Sequence, residues 1–462
     1  MNSSPPSPCL SVLDLIGNTP IVRVSKFDTR PCELFLKLES QNPGGSIKDR
    51  IALSMIEAAE REGKIRPGDT LVEATAGNTG LALALVAAQK GYSLILVIPD
   101  KMSQEKIFHL KALGANVMMT RSDVEKGHPD YYQDKAQLIA KETPRSFYVN
   151  QFENPANPAA HENGTAPEIW RQMDGKLDAI VCGVGSGGTL SGIGRYFVRI
   201  APHVEMVLAD PKGSVLAPLV NHGVTIKPGS WLVEGIGEDF VPANCDLSLV
   251  RRAYTITDEE SISTARQLLE KEGILCGSSS GTLIAAALKY CREQKTPKRV
   301  LTFVCDSGNK YLSKIYNPYW LDDQGLTNRP KTHDLRDLIA RPFLRGEVIG
   351  ASPHDTLAQV YVKMKMFDVS QVPVMENQRL IGLMDETDVL LTVTGNPAGF
   401  NTEVGKIMRR KVETIDVKSQ MTDLLPIFER CRAACVTEDG QFLGLITPID
   451  FLNTLRKRTG QA

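Results

Sequence analysis

Three glycine-containing loops, each between a predicted strand and a predicted helix, carry side chains that could do chemistry. In the first, Ser-Gln-Asn-Pro-Gly-Gly-Ser-Ile-Lys-Asp-Arg at 40–50, Lys48 falls in the first helical turn. Backbone N–H groups there carry positive partial charge, which together with burial disfavours a second positive charge. A lysine amine in this position can lose its proton and form a Schiff base with an aldehyde cofactor. The alternative is a solvated lysine at a helix start.

The second loop, Glu-Ala-Thr-Ala-Gly-Asn-Thr-Gly at 73–80, could hold an anion. Its backbone N–H and hydroxyl groups lie at a predicted helix N-terminus, where negative charge is favoured. A carboxylate is the natural ligand. The alternative is a tight turn capped by an Asn or Thr side chain.

The third loop, Cys-Gly-Val-Gly-Ser-Gly-Gly-Thr-Leu at 182–190, leaves two interpretations open. Gly183, Gly185 and Gly188 fit G-x-G-x-x-G, and Asp210 ends the next predicted strand, as in a dinucleotide fingerprint. A nicotinamide dehydrogenase is therefore one interpretation. The other is a loop that wraps a single phosphate monoester. A fingerprint usually lies in the first strand–helix unit of its domain, and this loop follows several, which favours the phosphate.

The elements that must position these loops alternate along the chain. Apolar strands alternating with amphipathic helices indicate an α/β fold with mainly parallel sheets covered on both faces. Ligands of such sheets bind beyond the carboxyl ends of the strands. Strands are predicted at 34–39, 70–75, 93–99, 116–120, 179–184, 204–210 and 300–306, and helices at 47–62, 103–113, 189–200 and 258–272.

The pattern changes after Tyr316, where a linker is predicted that continues to about residue 341. The remainder contains a weak internal repeat. Gly382 and Gly444 lie 62 residues apart in similar segments, as do Asp388 and Asp450. Two copies of a ~60-residue unit usually bury a face against one another.

Composition excludes several classes of protein. The 462 residues are 42% hydrophobic and 23% charged with a net charge of -1, which is typical of a globular protein without affinity for nucleic acid or anionic membranes. No apolar run reaches the roughly 18 residues that span a bilayer, and the N-terminus lacks a signal-peptide pattern. The nine scattered cysteines suggest reduced thiols and no metal site. We expect a cytoplasmic protein.

Together the loops resemble those of the cysteine synthase/cystathionine β-synthase family of pyridoxal-phosphate enzymes, fold type II. The resemblance runs from Leu15 to about Tyr316 and includes Ile-Gly-Asn-Thr-Pro at 16–20 and Gln-Phe-Glu-Asn-Pro-Ala-Asn at 151–157. It implies that Lys48 forms the Schiff base with pyridoxal phosphate, that Asn78 contacts the 3-hydroxyl and that Ser279 contacts the pyridine nitrogen. It also implies a phosphate site made of Gly185, Ser186, Gly187, Gly188 and Thr189. The implied substrate site is made of Thr75, Ala76, Gly77, Thr79, Gln151 and Gly235.

Three features favour the cystathionine β-synthase branch of this family. They are Val-Glu-Gly-Ile-Gly-Glu-Asp-Phe at 233–240, the pair Asp306–Ser307, and the C-terminal repeat, which resembles a Bateman module of two CBS domains. The branch implies condensation of L-serine with L-homocysteine to L-cystathionine and water, with hydrogen sulfide release when cysteine replaces serine. Three alternatives stay open: a cysteine synthase acting on O-acetylserine and sulfide, an inert adenosyl-nucleotide sensor, and a CBS pair that serves only dimerisation or packing.

The sequence departs from the family at three places. Position 76 is Ala where much of the family has Ser, and Glu238 stands where animal and yeast synthases have Tyr. Glu238 can replace that phenol as a catalytic acid if its pKa is raised. The animal haem segment uses a Cys and a His, whereas here Cys9 lies close to the core and the first histidine is His109, so we expect no haem.

The resemblance also sets expectations for assembly and regulation. It implies a catalytic domain at 1–325, a linker at 326–341 and CBS domains at 342–398 and 399–462, in a homodimer or larger homo-oligomer. Thr447 and Asp450 fit a ribose-binding Thr/Ser-x-x-Asp pattern. Val369 and Ser370 stand where the mammalian enzyme has Phe-Asp, so we expect S-adenosylmethionine to bind weakly or not at all.

Overall fold

Strands and helices alternate through the chain, and the computed structural model describes residues 8–75, 77–100, 104–121, 123–124, 127–327 and 332–458. The described chain divides between Tyr316 and Asn317 into two compact units. The strands of the first unit are β1 (Ile21–Arg23), β2 (Glu33–Leu38), β3 (Thr70–Ala74), β4 (Ser93–Pro99), β5 (Asn116–Thr120), β6 (Ser146–Tyr148), β7 (Ala179–Cys182), β8 (Glu205–Pro211), β9 (Val250–Ile256) and β10 (Arg299–Val304). Its helices are α1 (Lys48–Arg61), α2 (Asn78–Lys90), α3 (Gln104–Ala112), α4 (Tyr132–Glu142), α5 (Ala156–Ala160), α6 (Ala166–Gln172), α7 (Gly188–Ile200), α8 (Leu216–His222), α9 (Asp258–Glu272) and α10 (Ser278–Glu293).

These strands form two sheets, and parallel pairing dominates both. One sheet has the order β5-β4-β3-β6 and is entirely parallel. The other has the order β1-β2-β10-β7-β8-β9, in which only β1 runs antiparallel to its neighbour. The predicted α/β fold with mainly parallel sheets is confirmed.

Local sequence explains where the helices begin and end. Thr257 and Glu260 form a capping box at the start of α9, and Gly273 ends that helix with φ of 73°. Gly91 ends α2 in the same left-handed conformation, which costs a glycine little. The buried faces of α1 and α2 pack on β3 and β4 in one apolar core that includes Ile51, Met55, Leu71, Leu83 and Leu96.

The ends of β2 and β10 bring two distant segments together. The two strands are parallel neighbours, so the chain leaves both at the same edge of the sheet. Ser46 and Asp306 then form an antiparallel bridge, and the N–H of Ile47 donates to the carbonyl of Cys305 at 2.8 Å. The strand predicted at 300–306 therefore ends at Val304, because the next residues bond to the loop before α1.

The second unit contains the two repeats. Its strands are β11 (Gln371–Glu376), β12 (Arg379–Asp385), β13 (Thr414–Asp416), β14 (Ala434–Glu438) and β15 (Gln441–Ile446), and its helices are α11 (Pro318–Asp323), α12 (Leu357–Phe367), α13 (Glu386–Val393), α14 (Val404–Ile407), α15 (Leu425–Arg430) and α16 (Pro448–Arg458). The sheets are β11-β12 and β13-β14-β15. Each repeat has its own core, and Leu383 of the first packs with Cys435 and Phe442 of the second. Within the described ranges, no helix is long and apolar enough to cross a membrane.

Candidate active site

Lys48 is the first residue of α1 and lies beyond the end of β2 in a partly exposed position. Burial of its ammonium group lowers the pKa of Lys48, while Cys305, Asp306 and Glu238 oppose that shift. A lysine with a lowered pKa more often has a free electron pair on its amine. This is the property that attack on an aldehyde requires.

A buried ion-pair network, which the sequence did not predict, holds the first turn of α1. Arg50 donates to Glu39 at 2.7 Å and to Glu168 at 2.7 Å. Lys37 donates to Glu168 at 3.0 Å. Removing one partner of a buried charge pair costs about 3–5 kcal/mol, because it leaves the other charge without compensation. The network therefore fixes the turn that carries Lys48.

The loop at 185–189 presents backbone N–H groups at the start of α7. Gly187 has φ of 86°, and among the described residues no side chain caps the helix after it. A Cβ on Gly188 would lie 1.9 Å from Oδ1 of Asn157, so the close approach requires glycine. Asn157 also donates to the hydroxyl oxygen of Ser186 at 2.8 Å, which leaves the Ser186 hydroxyl hydrogen for another acceptor. N–H groups, a hydroxyl and a helix N-terminus suit a phosphate group.

His161 contacts the last residue of that loop from a buried π-helical turn between α5 and α6. Its Nδ1 lies 3.0 Å from Oγ1 of Thr165 and its Nε2 lies 3.2 Å from Oγ1 of Thr189. Burial, with the charges of Arg50 and Lys48, holds the pKa of His161 well below its usual value. Sequence reasoning missed this histidine, although it follows a motif that carries the family resemblance.

The predicted substrate-carboxylate residues come together beyond β3 and β6. The hydroxyl of Thr79 donates to Oε1 of Gln151 at 2.7 Å. The N–H of Gly77 donates to Oγ1 of Thr75 at 3.3 Å. In these two contacts the amide oxygen of Gln151 and the hydroxyl oxygen of Thr75 accept, so the amide and hydroxyl hydrogens of these two residues can serve a carboxylate. Ala76 lies outside the described residues.

Ser279 lies in the first turn of α10 and is buried. Burial raises the pKa of the Cys305 thiol to about 12, against the effects of Lys48 and a hydrogen bond from Ser279. The same thiol acts on the pKa of Lys48. The Cys305 thiol therefore interacts with both Ser279 and Lys48.

The loop at 233–240 packs on the glycine loop after β7. The N–H of Gly237 donates to the carbonyl of Val184 at 2.8 Å. A Cβ on Gly185 would lie 2.6 Å from the carbonyl oxygen of Gly235, so the two backbones approach too closely for a side chain. The predicted substrate residue Gly235 therefore adjoins the predicted phosphate loop.

Glu238 lies in the same loop at 233–240, and its carboxyl group interacts electrostatically with Lys48. Burial, with the negative charge of Asp239, raises the pKa of Glu238 to about 8, while Lys48 opposes the shift. A carboxyl group with this pKa is largely protonated at neutral pH and can donate a proton.

Asn78 bonds to two residues that the sequence did not assign to the site. Its side-chain nitrogen donates to Asp306 at 2.7 Å, and its oxygen accepts from Lys310 at 2.7 Å. The sequence used Asp306 only as a mark of the family branch. A carboxylate directly after a buried strand was the signal that could have placed it here.

Asp210 does not offer the free carboxylate that a dinucleotide fingerprint requires. It is fully buried, and its Oδ2 accepts from the N–H of Ala217 at 2.8 Å. Burial raises the pKa of Asp210 to about 6. The carboxylate therefore supports the first turn of α8. The G-x-G-x-x-G match then gives no support for nicotinamide binding.

The second unit holds the other predicted site. Oδ2 of Asp450 accepts from both the N–H and the hydroxyl of Thr447, at 2.8 and 2.6 Å. Arg409, which follows α14, donates to Asp385 at 2.6 Å and to Asp388 at 3.0 Å, both in the first repeat. The acidic pair of the first repeat is therefore compensated by an arginine that the sequence did not place there.

The residues of the first unit fit pyridoxal phosphate. A loop rich in N–H groups at 185–189 suits its phosphate, a lysine with a lowered pKa suits its aldehyde, and the amide of Asn78 suits its 3-oxygen. The close approaches at Gly185 and Gly188 leave no space for side chains in the phosphate loop.

Comparisons with known proteins agree with that fit. The model of the pyridoxal-phosphate dependent enzyme family matches residues 12–306, and the CBS domain model matches residues 336–395 and 404–457. Cystathionine beta-synthase of Dictyostelium discoideum is 37% identical over 461 residues, which cover 97% of this chain and 92% of that protein. Cysteine synthase A of Escherichia coli (strain K12) is 44% identical over 301 residues, covering 64% and 92%.

A solved structure of a hydrogen sulfide-producing enzyme from Fusobacterium nucleatum shares 38% identity with a TM-score of 0.62, and the match covers 66% of this chain and 100% of that one. Cysteine synthase A and the Fusobacterium enzyme are thus similar to about two thirds of the chain, whereas the Dictyostelium protein is similar to nearly all of it. The chain therefore belongs to the pyridoxal-phosphate-dependent enzymes, in the family of cystathionine beta-synthases and cysteine synthases, and carries a C-terminal pair of CBS domains.

Proposed function

We propose that this chain is a cystathionine β-synthase, which replaces the hydroxyl of L-serine by the sulfur of L-homocysteine and releases water. The observation that carries the proposal is the carboxyl of Glu238, whose pKa is raised to about 8 near Lys48. A hydroxyl leaves the β-carbon only when it receives a proton, whereas acetate leaves as an anion. A largely protonated carboxyl therefore supports serine over O-acetylserine as substrate.

The chain's own residues divide the remaining work. When bound, pyridoxal phosphate supplies the electron sink for the electron pair that the departing α-proton leaves on the α-carbon. Lys48 takes that proton, and the donors around Thr79 and Gln151 hold the substrate carboxylate. Glu238 gives its proton to the departing hydroxyl, and the thiol proton of homocysteine restores its acid form. Lys48 then returns a proton to the α-carbon, so the products balance as cystathionine and water.

The extent of similarity also supports this choice. The Dictyostelium cystathionine beta-synthase matches 97% of the chain, including the CBS pair, whereas cysteine synthase A matches 64%. A cysteine synthase that acts on O-acetylserine and sulfide is the main alternative, because both reactions use the same carboxylate and phosphate sites.

The test compares kcat/KM for serine and O-acetylserine, each with homocysteine and with sulfide, in the wild type and in Glu238→Gln. We expect the substitution to lower serine turnover on the order of 10²–10⁴-fold and to leave O-acetylserine turnover nearly unchanged. Glu270→Gln is the matched control, because Glu270 is an exposed acid on α9 and is not among the groups that shift the pKa of Glu238. Equal losses with both substrates would contradict the role of Glu238, and a wild type that accepts only O-acetylserine and sulfide would establish the alternative.

Hydrogen sulfide release from cysteine is a second candidate activity. The match to the hydrogen sulfide-producing enzyme from Fusobacterium nucleatum favours it. A thiolate leaves the β-carbon without a proton, so Glu238→Gln should preserve this activity while serine turnover falls. Equal losses of the cysteine and serine activities in Glu238→Gln would show that the two leaving groups do not differ in their need for the Glu238 proton.

Two further proposals concern composition and assembly. We propose that the protein binds no haem, and stoichiometric haem with a Soret band in the purified full-length protein would overturn this. We also propose a homodimer or larger homo-oligomer with the domain division 1–325, 326–341, 342–398 and 399–462. Light scattering tests the assembly, and limited proteolysis tests the division.

A further inference from the structure

The side-chain amide of Asn78 is held at both ends. Its nitrogen donates to Oδ2 of Asp306 at 2.7 Å, and its oxygen accepts from Nζ of Lys310 at 2.7 Å. Both partners follow β10 and lie more than two hundred positions from Asn78 in the chain. Asn78 itself begins α2, beside the predicted carboxylate loop.

These partners determine which way the amide points. An ammonium group only donates hydrogen bonds, and a carboxylate only accepts them. Rotating the amide by half a turn would place its NH₂ group against the ammonium and its carbonyl against the carboxylate. Both contacts would be repulsive, so Lys310 and Asp306 select one orientation. Asp306 takes one hydrogen of the amide nitrogen, and the other hydrogen can bond to a further acceptor.

The two partners are themselves fixed. Oδ2 of Asp306 also accepts from the hydroxyl of Tyr311 at 2.7 Å, and Lys310 also donates to the carbonyl of Gly44 at 3.3 Å. Asp306 is fully buried. A Cβ on Gly277 would lie 2.1 Å from its Oδ1, so the neighbouring backbone encloses the carboxylate closely. Neither partner can turn away from Asn78 without losing a second hydrogen bond.

We propose that Lys310 and Asp306 are positioning residues that orient the Asn78 amide so that its second N–H donates to the 3-oxygen of bound pyridoxal phosphate. This inference rests on the proposed function of the site, because it uses the role that the family resemblance gives Asn78. The N–H stabilises negative charge on the 3-oxygen. Lys310 and Asp306 act through Asn78 and need no contact with the cofactor.

The experiment titrates pyridoxal phosphate into the apoprotein of each variant and records the Kd and the visible absorption of the bound cofactor, which depends on the charge of the 3-oxygen. We expect Lys310→Met and Asn78→Ala each to weaken binding roughly ten- to one-hundredfold and to reduce the visible band. The double variant should be no weaker than Asn78→Ala alone, because Lys310 acts through the same amide. Lys310→Arg, which still donates, should restore most of both signals.

Controls separate this result from general destabilisation. Lys289→Met removes a lysine that pairs with Glu260 on the neighbouring helix, and it should change neither signal. Thermal unfolding of each variant checks the fold, and Lys310→Ala replaces Lys310→Met if the latter does not fold. Additive losses in the double variant, or an unchanged spectrum in the folded Lys310→Met or Lys310→Ala variant, would overturn the proposal.

The titration contains no amino acid, so its outcome does not depend on which substrate the enzyme uses. Failure of the serine assay would therefore leave this result intact. Normal binding and a normal spectrum in Asn78→Ala would overturn both the role of Asn78 and the positioning by Lys310.

Discussion

Nε2 of His161 lies 3.2 Å from Oγ1 of Thr189, and the other ring nitrogen faces the hydroxyl of Thr165. Burial keeps this imidazole neutral, so one nitrogen donates and the other accepts. If Thr165 donates to Nδ1, then Nε2 donates to Thr189, and the Thr189 hydroxyl hydrogen is free for a phosphate oxygen. In that tautomer the chain of three side chains orients the Thr189 hydroxyl as a phosphate donor.

The first prediction tests this chain. His161→Leu should weaken binding of pyridoxal phosphate to the apoprotein roughly two- to tenfold, the effect of one neutral hydrogen bond. His161→Gln is the matched variant, because its amide nitrogen can still donate to Thr189, and it should recover most of the affinity. Equal affinities of the Leu and Gln variants would show that the contact with Thr189 does not matter.

The second prediction concerns Lys48. Lys48→Ala should abolish turnover and the visible absorption of the Schiff base, because it removes the amine that bonds the cofactor and takes the α-proton. Borohydride reduction of the wild type should fix the cofactor to the chain, and peptide mapping should locate it at Lys48. A variant that keeps full turnover without added amine would contradict the assignment.

The sequence allowed prediction of site residues that lie together in one loop, but not of contacts between residues that are far apart in the chain. The cofactor loops were predictable because their glycines, hydroxyls and Lys48 lie in short segments between a strand and the next helix. Asp306 could not be placed beside Asn78, since the two residues are separated by 228 positions. The Arg50 network was equally invisible, because Glu168 joins it from a distant helix.

The same reasoning explains two missed elements. α10 begins with three serines and a glycine, which have weak helix propensity, but its residues are buried almost throughout. Tertiary packing therefore overrides the local preference. β9 contains two exposed arginines and lies at the edge of its sheet, so it lacks the continuous apolar run of the central strands.

The third prediction addresses the pyridine nitrogen. Ser279→Asp should retain the cofactor but slow loss of the β-substituent. A carboxylate would keep the ring nitrogen protonated, and the stronger electron sink would stabilise the carbanion from which the substituent leaves. Stopped-flow spectra with serine should then show slower elimination than in the wild type. Ser279→Ala is the control for loss of the hydroxyl alone. Unchanged turnover and spectra in the Asp variant would show that Ser279 does not contact the ring.

The fourth prediction is a pH dependence of substrate choice. The acid form of Glu238 is the active one, and its pKa is about 8, so kcat/KM for serine should fall as pH rises through that value. O-acetylserine needs no proton for its leaving group. The ratio of serine to O-acetylserine kcat/KM should therefore fall about tenfold for each further pH unit in the wild type and stay flat in Glu238→Gln. A flat ratio in the wild type would contradict Glu238 as the acid.

The fifth prediction concerns the CBS pair and starts from the asymmetry of its repeats. Both hydrogen bonds from Thr447 end on Oδ2 of Asp450, which leaves Oδ1 for the hydroxyls of a ribose. The corresponding Asp388 is instead bonded to Arg409. Val369 and Ser370, in the segment before β11, offer neither an aromatic ring nor a carboxylate to a cationic methionyl group.

We therefore expect S-adenosylmethionine to bind weakly or not at all and to change turnover little, because Asp450 of the second repeat can accept from a ribose but Val369 and Ser370 of the first repeat offer no partner for the sulfonium. Isothermal titration of the full-length protein, with turnover measured beside it, decides the question. Adenosine compounds without the sulfonium serve as comparison ligands, and any that bind should lose affinity in Asp450→Ala but keep it in Asp388→Ala. Micromolar binding of S-adenosylmethionine with several-fold activation would refute the prediction, and loss of that binding in Asp450→Ala would still locate the site in the second repeat.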